Sequence, residues 1–200
     1  MAKILKNHEK LLVTNKLDQH VLVLLSGGID SCACVSYYIA QGSSVSALFI
    51  DYGQISSQRE ADAALKICEN YNISLDKVTI SGFKSFSDGY ILGRNSLLLH
   101  TAIMSFRHAT GIIALGVHSG TNYSDCSQEF IKVMQASFDI YTDGCIQIGT
   151  PFIKFNKLDI WNYCKSENIP VQLTYSCELG RDQPCGKCLS CKDLEALYAS

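Results

Sequence analysis

Val21-Leu22-Val23-Leu24-Leu25-Ser26-Gly27-Gly28-Ile29-Asp30-Ser31 is the stretch that decides the architecture. Five consecutive apolar residues run into a glycine pair, the profile of a parallel strand buried on both faces. Small and apolar residues at helical spacing follow from Ser31 to Ala40, and Gly42 supplies a stop. The unit reads as strand, tight loop, helix. Two glycines let the loop turn sharply and present backbone N–H groups, while the helix N-terminus adds partial positive charge. The Ser26 and Ser31 hydroxyls can donate to phosphate oxygens. Asp30 is out of place against an anion, which points to a role in holding Mg2+ or in fixing the loop. The competing reading is a plain Ser-Gly turn with a Ser or Asp helix cap. No Gly-Lys-Ser/Thr follows, so the loop is not the Walker form.

The same alternation continues along the chain. Further strands are expected at Ser44 to Ile50, Lys77 to Ile80, Gly111 to Val117 and Cys145 to Ile148. Helices are expected at Arg59 to Tyr71, Ser96 to Thr110, Gln128 to Tyr141 and Lys157 to Asn168, the last ended by Pro170. Apolar strands alternating with helices indicate an α/β fold, a doubly wound parallel sheet of Rossmann-like type. Ser81 to Tyr90 lacks periodicity and reads as a loop over a site. From Ser176 onward the chain becomes punctuated by Cys and Gly. The expected division is a nucleotide-binding domain over 1–175 and a small metal-bearing segment over 176–200.

Composition narrows the class. The chain has 200 residues, 47% hydrophobic and 18% charged, with a formal net charge of −2. It is a globular chain with a sizeable core and sparse charge, which suggests extra buried surface at a subunit interface. A general nucleic-acid binder would carry a basic excess. The Lys- and Leu-containing stretch Met1 to Lys16 has no continuous apolar run, and no segment approaches the roughly 20 apolar residues of a membrane span. A cytoplasmic protein is the expectation, with no membrane partner.

Ten cysteines divide into two groups. Cys32, Cys34, Cys68, Cys126, Cys145 and Cys164 are scattered through apolar-periodic segments as small hydrophobes. Cys185-Gly186-Lys187-Cys188-Leu189-Ser190-Cys191 places three thiols at two-residue gaps, and Cys177 lies a short loop upstream. Four thiolates suit a closed tetrahedral Zn2+ site, structural in role because no coordination position is left open. A redox pair within the CxxCxxC and an iron–sulfur cluster are the two competing readings. Zinc is preferred because it would close a terminal segment that otherwise lacks a core.

Phosphate loop and knuckle, with the residues between them, resemble the 7-cyano-7-deazaguanine synthase family of the queuosine pathway, within the PP-loop ATP pyrophosphatases. Ser26 to Ser31 matches the SGGxDS signature. Asp51-Tyr52-Gly53-Gln54 with Glu60, Gly93-Arg94-Asn95, Asp125-Cys126 with Glu129-Phe130, Thr150-Pro151-Phe152 with Lys157, and Ser176-Cys177 follow in the family's order. The resemblance spans about Val21 to Leu194 and leaves Met1 to His20 unmatched.

What the resemblance implies is a zinc-bearing homodimer that converts 7-carboxy-7-deazaguanine, ammonia and ATP into 7-cyano-7-deazaguanine. The carboxylate is adenylated, ammonia gives an amide, and a second adenylation allows dehydration to the nitrile. ATP is then expected on Ser26, Gly27, Gly28, Asp30 and Ser31, with Asp51 and Tyr52 near adenine or ribose. Asp30, Lys157 and Arg94 are the candidate catalytic groups, and Arg94, Asn95 and Asp125 the candidate substrate contacts. Each has a plainer alternative. Lys157 reads equally as a solvated helix lysine, Tyr52 as core, Gly93 as a turn, Asn95 as a cap, and Asp125 as a cap of the helix after it. Cys126 reads as a buried neighbour, and His100, His108 and His118 have no triad context.

Two departures bear on function. Leu92 stands where the family motif has Pro, and Tyr123-Ser124-Asp125-Cys126-Ser127 lacks the Pro and the Arg of the family's YPDCR. Loss of that Arg, at Ser127, motivates a second reading, in which the activated carboxy-deazapurine passes to a different amine on a protein or nucleic acid. A tRNA thiolase using the CxxC for sulfur is a third, and a non-catalytic nucleotide- or zinc-binding module a fourth.

Overall fold

In the computed structural model, residues 19–83, 86, 91–120 and 123–199 are described. The expected leader Met1 to His20 falls almost wholly outside them, as does much of the expected loop at Ser81 to Tyr90.

Strand β1 (His20–Leu24) lies at the centre of a five-stranded sheet. It is joined by β2 (Ser44–Asp51), β3 (Leu75–Thr79), β4 (Gly111–Leu115) and β5 (Ile146–Gly149) in the order β3-β2-β1-β4-β5. Every pairing is parallel, with Val23 opposite both Ala47 and Ala114. Chain order reverses beside β1, and at such a switch point an open α/β sheet leaves a crevice beyond the carboxyl ends of its strands.

Side-chain alternation along β1 divides the core. Val21 and Val23, with Leu25 just beyond, pack on one face against α1 (Ile29–Ala40), α2 (Ser57–Tyr71) and α5 (Lys157–Ser166) through Val35, Ile67 and Ile160. Leu22 and Leu24 pack on the other against α3 (Arg94–Ser105) and α4 (Gln128–Thr142) through Leu99, Met134 and Phe138. A strand covered on both faces has no polar side, which is why its sequence is apolar without a break.

Element ends differ from the sequence expectation by a few residues. The helix expected to reach Thr110 stops at Ser105, where Phe106 turns extended and packs into the core beneath the sheet. The largest departure is α6 (Leu189–Tyr198), a helix inside the segment read only as a metal-bearing appendage. Its Leu197 is buried in the same core as Val21, and Leu194 packs beside it. None of the helices among the described residues is long and apolar enough to cross a membrane.

Candidate active site

The Ser26–Ser31 loop follows β1 directly and caps the carboxyl end of the sheet. Gly27 takes a left-handed φ of 79°, and a Cβ there would stand 2.6 Å from the Glu60 carbonyl oxygen. Only glycine lets α2 approach the loop so closely. Tyr175 N–H donates to the Gly27 carbonyl at 2.9 Å, tying the loop to the C-terminal segment. Gly28 is the N-cap of α1 and makes no side-chain cap bond, so the positive end of that helix faces the crevice. Ser31 Oγ donates to the Gly28 carbonyl at 3.0 Å, and its oxygen lies 3.2 Å from Ser26 Oγ.

Asp30 enters α1 in its first turn, and its carboxylate receives Lys157. The ammonium lies 2.7 Å from Oδ1 and 2.6 Å from Oδ2. Lys157 is the first residue of α5, held there by a capping box between Asn156 and Asp159. The side chain crosses to the mouth of the loop while staying partly exposed.

A third group joins this pair. Gly116 brings β4 past α1 so closely that a Cβ would meet the Asp30 backbone at 2.8 Å. His118 follows, only 6% exposed, with Nε2 3.8 Å from Asp30 Oδ2. Its Nδ1 accepts the Gly120 N–H at 3.0 Å. Burial lowers the imidazole's pKa below its ordinary value; Asp30 opposes that shift and Lys157 adds to it. Sequence reasoning gave His118 no role. The available signal was its place three residues beyond Leu115, at the carboxyl end of a central strand.

These groups face a cavity of about 700 Å3, which Tyr52, Gln54, Glu60, Arg94, Asn95 and Tyr123 also line. Burial pushes the Tyr52 hydroxyl upward, while Arg94, hydrogen-bonded to it, pulls it down. Gln54 accepts the Tyr52 N–H at 2.9 Å and donates to Glu60 at 2.9 Å, which stiffens the loop between β2 and α2. Gly93, with φ of 76° and open space around it, turns the chain into α3. Three of the nucleotide and substrate candidates, Gly27, Asp51 and Asp125, stand apart from the cavity lining. Gly27 packs against α2, and Asp51 is engaged at the strand end by the Gly53 N–H (3.2 Å) and Lys77 (3.4 Å). Desolvation raises the Asp51 pKa, but the Ser57 hydroxyl, the Gly53 N–H and Lys77 together hold the carboxyl below its usual range.

Asp125 is buried behind this wall. Its Oδ2 accepts the Asn95 N–H at 3.4 Å, and the Asn95 side-chain amide donates to the Asp125 carbonyl at 3.0 Å. It therefore anchors the start of α3, and not the helix that follows it. Among the described residues its Oδ1 has no hydrogen-bond partner. The following helix, α4, is capped by Ser127, whose Oγ accepts the Phe130 N–H at 3.1 Å and donates to the Ser124 carbonyl at 2.7 Å. At the position of the family motif's arginine stands a helix cap that does not line the cavity.

The remaining wall comes from the C-terminal segment. Tyr175, Ser176, Glu178, Ser190, Asp193 and Leu197 line it. Glu178 binds both the N–H and the hydroxyl of Ser190, at 3.2 and 2.7 Å, and so fixes the first turn of α6. Behind it, the sulfurs of Cys177, Cys185, Cys188 and Cys191 lie within 4.8 Å of one another. Cys185 Sγ and Cys191 Sγ are 3.8 Å apart. Four sulfurs at ~2.3 Å from one tetrahedral ion are separated by about 3.8 Å, so the quartet fits a single ion. The Cys188 and Lys187 N–H groups bring the Cys185 thiol down to about 6. Burial pushes Cys191 up to about 12, a direction that a coordinated cation reverses.

Comparison with solved structures defines the class. The U34-tRNA thiolase NcsA from Methanococcus maripaludis superposes with a TM-score of 0.53 at 16% identity, over 93% of this chain and 66% of its own. A 4-thiouridine synthetase, solved with RNA and bound ATP, gives 0.52 at 16% identity, over 90% of this chain and 50% of its own. At those identities the likeness is one of fold, and the fold is the PP-loop α/β type.

The family follows from the sequence. The profile of queuosine biosynthesis protein QueC matches residues 20–92 and 84–199, and the chain belongs to that family. The 7-cyano-7-deazaguanine synthase of Prochlorococcus marinus (strain MIT 9515) is 30% identical over 92% of this chain and 95% of its own. The synthase of the same name from Methanoculleus marisnigri is 32% identical over 84% of this chain and 88% of its own.

Proposed function

We propose that this chain is an ATP-dependent carbon–nitrogen ligase that converts 7-carboxy-7-deazaguanine and ammonia to 7-cyano-7-deazaguanine. The observation that carries this reading is the Asp30–Lys157 pair at the mouth of the Ser26–Ser31 loop. Adenylation joins a carboxylate oxygen to the α-phosphate of ATP and releases pyrophosphate. No protein nucleophile is needed; the reactants must lie in line and the leaving charge must be stabilised. The loop N–H groups and the end of α1 receive the pyrophosphate, and Lys157 supplies the mobile positive charge. Arg94 suits the substrate carboxylate through its planar fork. Ammonia then displaces AMP to give the amide, and a second adenylation of the amide oxygen allows its loss as AMP, leaving the nitrile.

Mg2+ is ordinarily held by one or two carboxylates together with phosphate oxygens. Asp30 faces the cavity beside the loop and is the carboxylate suited to hold it, where the ion adds charge neutralisation. Zn2+ is read into the four-cysteine site as a structural ion. It closes segment 176–200 on the nucleotide-binding domain 1–175 and shapes the cavity wall. A cytoplasmic setting keeps those thiols reduced, and we read the active form as a homodimer.

The purified protein, given ATP, Mg2+, carboxy-deazaguanine and ammonia, is expected to release AMP and a product of the nitrile's mass. ATP left intact under those conditions would rule the reading out. A second reading rests on Ser127. With that position spent on a helix cap, the activated carboxylate passes to a different amine, on a protein or nucleic acid. Its signature is AMP release that responds to a macromolecular acceptor and not to ammonia.

A further inference from the structure

We propose that His118 is a positioning residue of the phosphate grip, supplying the N–H that holds Asp30 when Lys157 turns toward phosphate. The inference rests on the ATP-dependent reading above and concerns a side chain that reading does not use.

The imidazole has one tautomer available when neutral. Because Nδ1 accepts the Gly120 N–H at 3.0 Å, the proton sits on Nε2, which points at Asp30 Oδ2. That orientation makes His118 a donor toward the site and unsuited to take a proton there. Lys157 occupies both Asp30 oxygens, and Nε2 stands at 3.8 Å, outside hydrogen-bond distance.

Binding of ATP changes this balance. Turning Lys157 toward the leaving pyrophosphate would loosen at least one of its two contacts with Asp30. With Mg2+ on one oxygen of Asp30, as read above, the other oxygen would then lack a donor beside incoming phosphate, and that would weaken binding. His118 is buried and fixed by a backbone N–H, and a shift of less than 1 Å, set by the 3.8 Å separation, brings Nε2–H onto Asp30. A neutral donor satisfies the carboxylate without competing for phosphate as a second cation would. No bond to hydrogen is broken in the exchange, and Lys157 keeps its proton throughout.

The test compares His118→Gln with His118→Asn by direct ATP titration in the full-length protein, with thermal melts run alongside. Glutamine places an amide N–H close to where Nε2 stands, whereas asparagine is too short to reach Asp30. Expected is ATP affinity within about threefold of wild type for the Gln variant and about tenfold weaker for the Asn variant, with similar melting temperatures. In a Lys157→Met background the two should differ by less than about twofold, because the displaced contact is already gone. Equal losses in both single variants, or an Asn variant that binds like wild type, would overturn the proposal. Wild-type ATP binding is measured first: its absence removes the ligase reading and this inference with it, whereas wild-type binding with indistinguishable variants removes the inference alone.

Discussion

Lys157 reaches both oxygens of the Asp30 carboxylate, at 2.7 and 2.6 Å, across 127 positions of sequence. The contact joins the first turn of α1 to the first residue of α5, so two helix N-termini meet at the mouth of one loop. Lys157→Met is expected to reduce turnover roughly a hundred- to thousand-fold, the range for loss of one group that stabilises developing charge. Its effect on melting temperature should be small, since both side chains keep contact with solvent. AMP release and a thermal melt on the same sample check both halves.

The two loop glycines should behave differently. Gly27→Ala forces a Cβ against the Glu60 carbonyl at a left-handed φ. We expect a loss of about 1–3 kcal/mol, read as a fall of about 2–4 °C in Tm for each kcal/mol. Gly28 has φ of −82°, and its nearest obstacle to a Cβ is 3.6 Å away. Gly28→Ala should fold normally and lose ATP affinity, because the added methyl enters the space phosphate requires. A drop in Tm for Gly28→Ala as large as that for Gly27→Ala would contradict this assignment.

Asp125 separates anchoring from recognition. Asp125→Ala removes the acceptor for the Asn95 N–H and should cost about 1–3 kcal/mol. Asp125→Asn can keep that bond while turning an amide toward the side where Oδ1 now has no partner. Its Tm should stay near wild type. Because Asp125 lies behind the cavity wall, KM for carboxy-deazaguanine and KM for ATP should both stay within about twofold of wild type, and a roughly tenfold rise in the first alone would show that Oδ1 reaches the substrate.

Metal removal should expose an order of reactivity among the thiols. In chelated protein at neutral pH, Cys185 is expected to alkylate first, with its thiol near 6, and Cys191 last, with its thiol pushed to about 12. Peptide mass spectrometry over a time course reads this directly. The same treatment should lower Tm, since the closed site holds α6 against the cavity.

Stability should fall as pH drops below neutrality, and His118 gives the sign. Its folded pKa lies below the ordinary value of 6.5, so the unfolded chain binds the proton more readily. The contribution is fully present above 6.5 and is lost as pH falls from there through the folded pKa. The charged groups acting on the imidazole are Asp30, Lys157 and Asp193. His118→Gln should therefore lose less stability than wild type between pH 7 and 5, by urea titration at each pH. A steeper loss in the variant would show that another group sets the slope.

Taken alone, the sequence determined the sheet, the glycine turn after β1 and a cysteine quartet that could hold one ion. Each is local: β1 is apolar without a break because both its faces are covered, the glycine pair carries its conformation in its own backbone, and the four thiols are close in the chain. Helix α6 is masked in the sequence because Cys191 reads as a ligand, although Leu194 and Leu197 lie at helical spacing after it. Only the tertiary structure decided which polar residues meet. Asp51 ends a strand at the expected place yet engages Lys77 on the neighbouring strand. Ser127 turns to its own helix, while Asp125 serves α3 from 30 positions away. The loop quoted at the outset is legible as a glycine turn and is read as a phosphate grip; of its neighbours, Lys157 is reached only through the family resemblance and His118 not at all, because they arrive from separate crossovers. Parallel topology brings their chain segments to the same end of the sheet, and close packing at Gly116 and Gly120 then sets the distances.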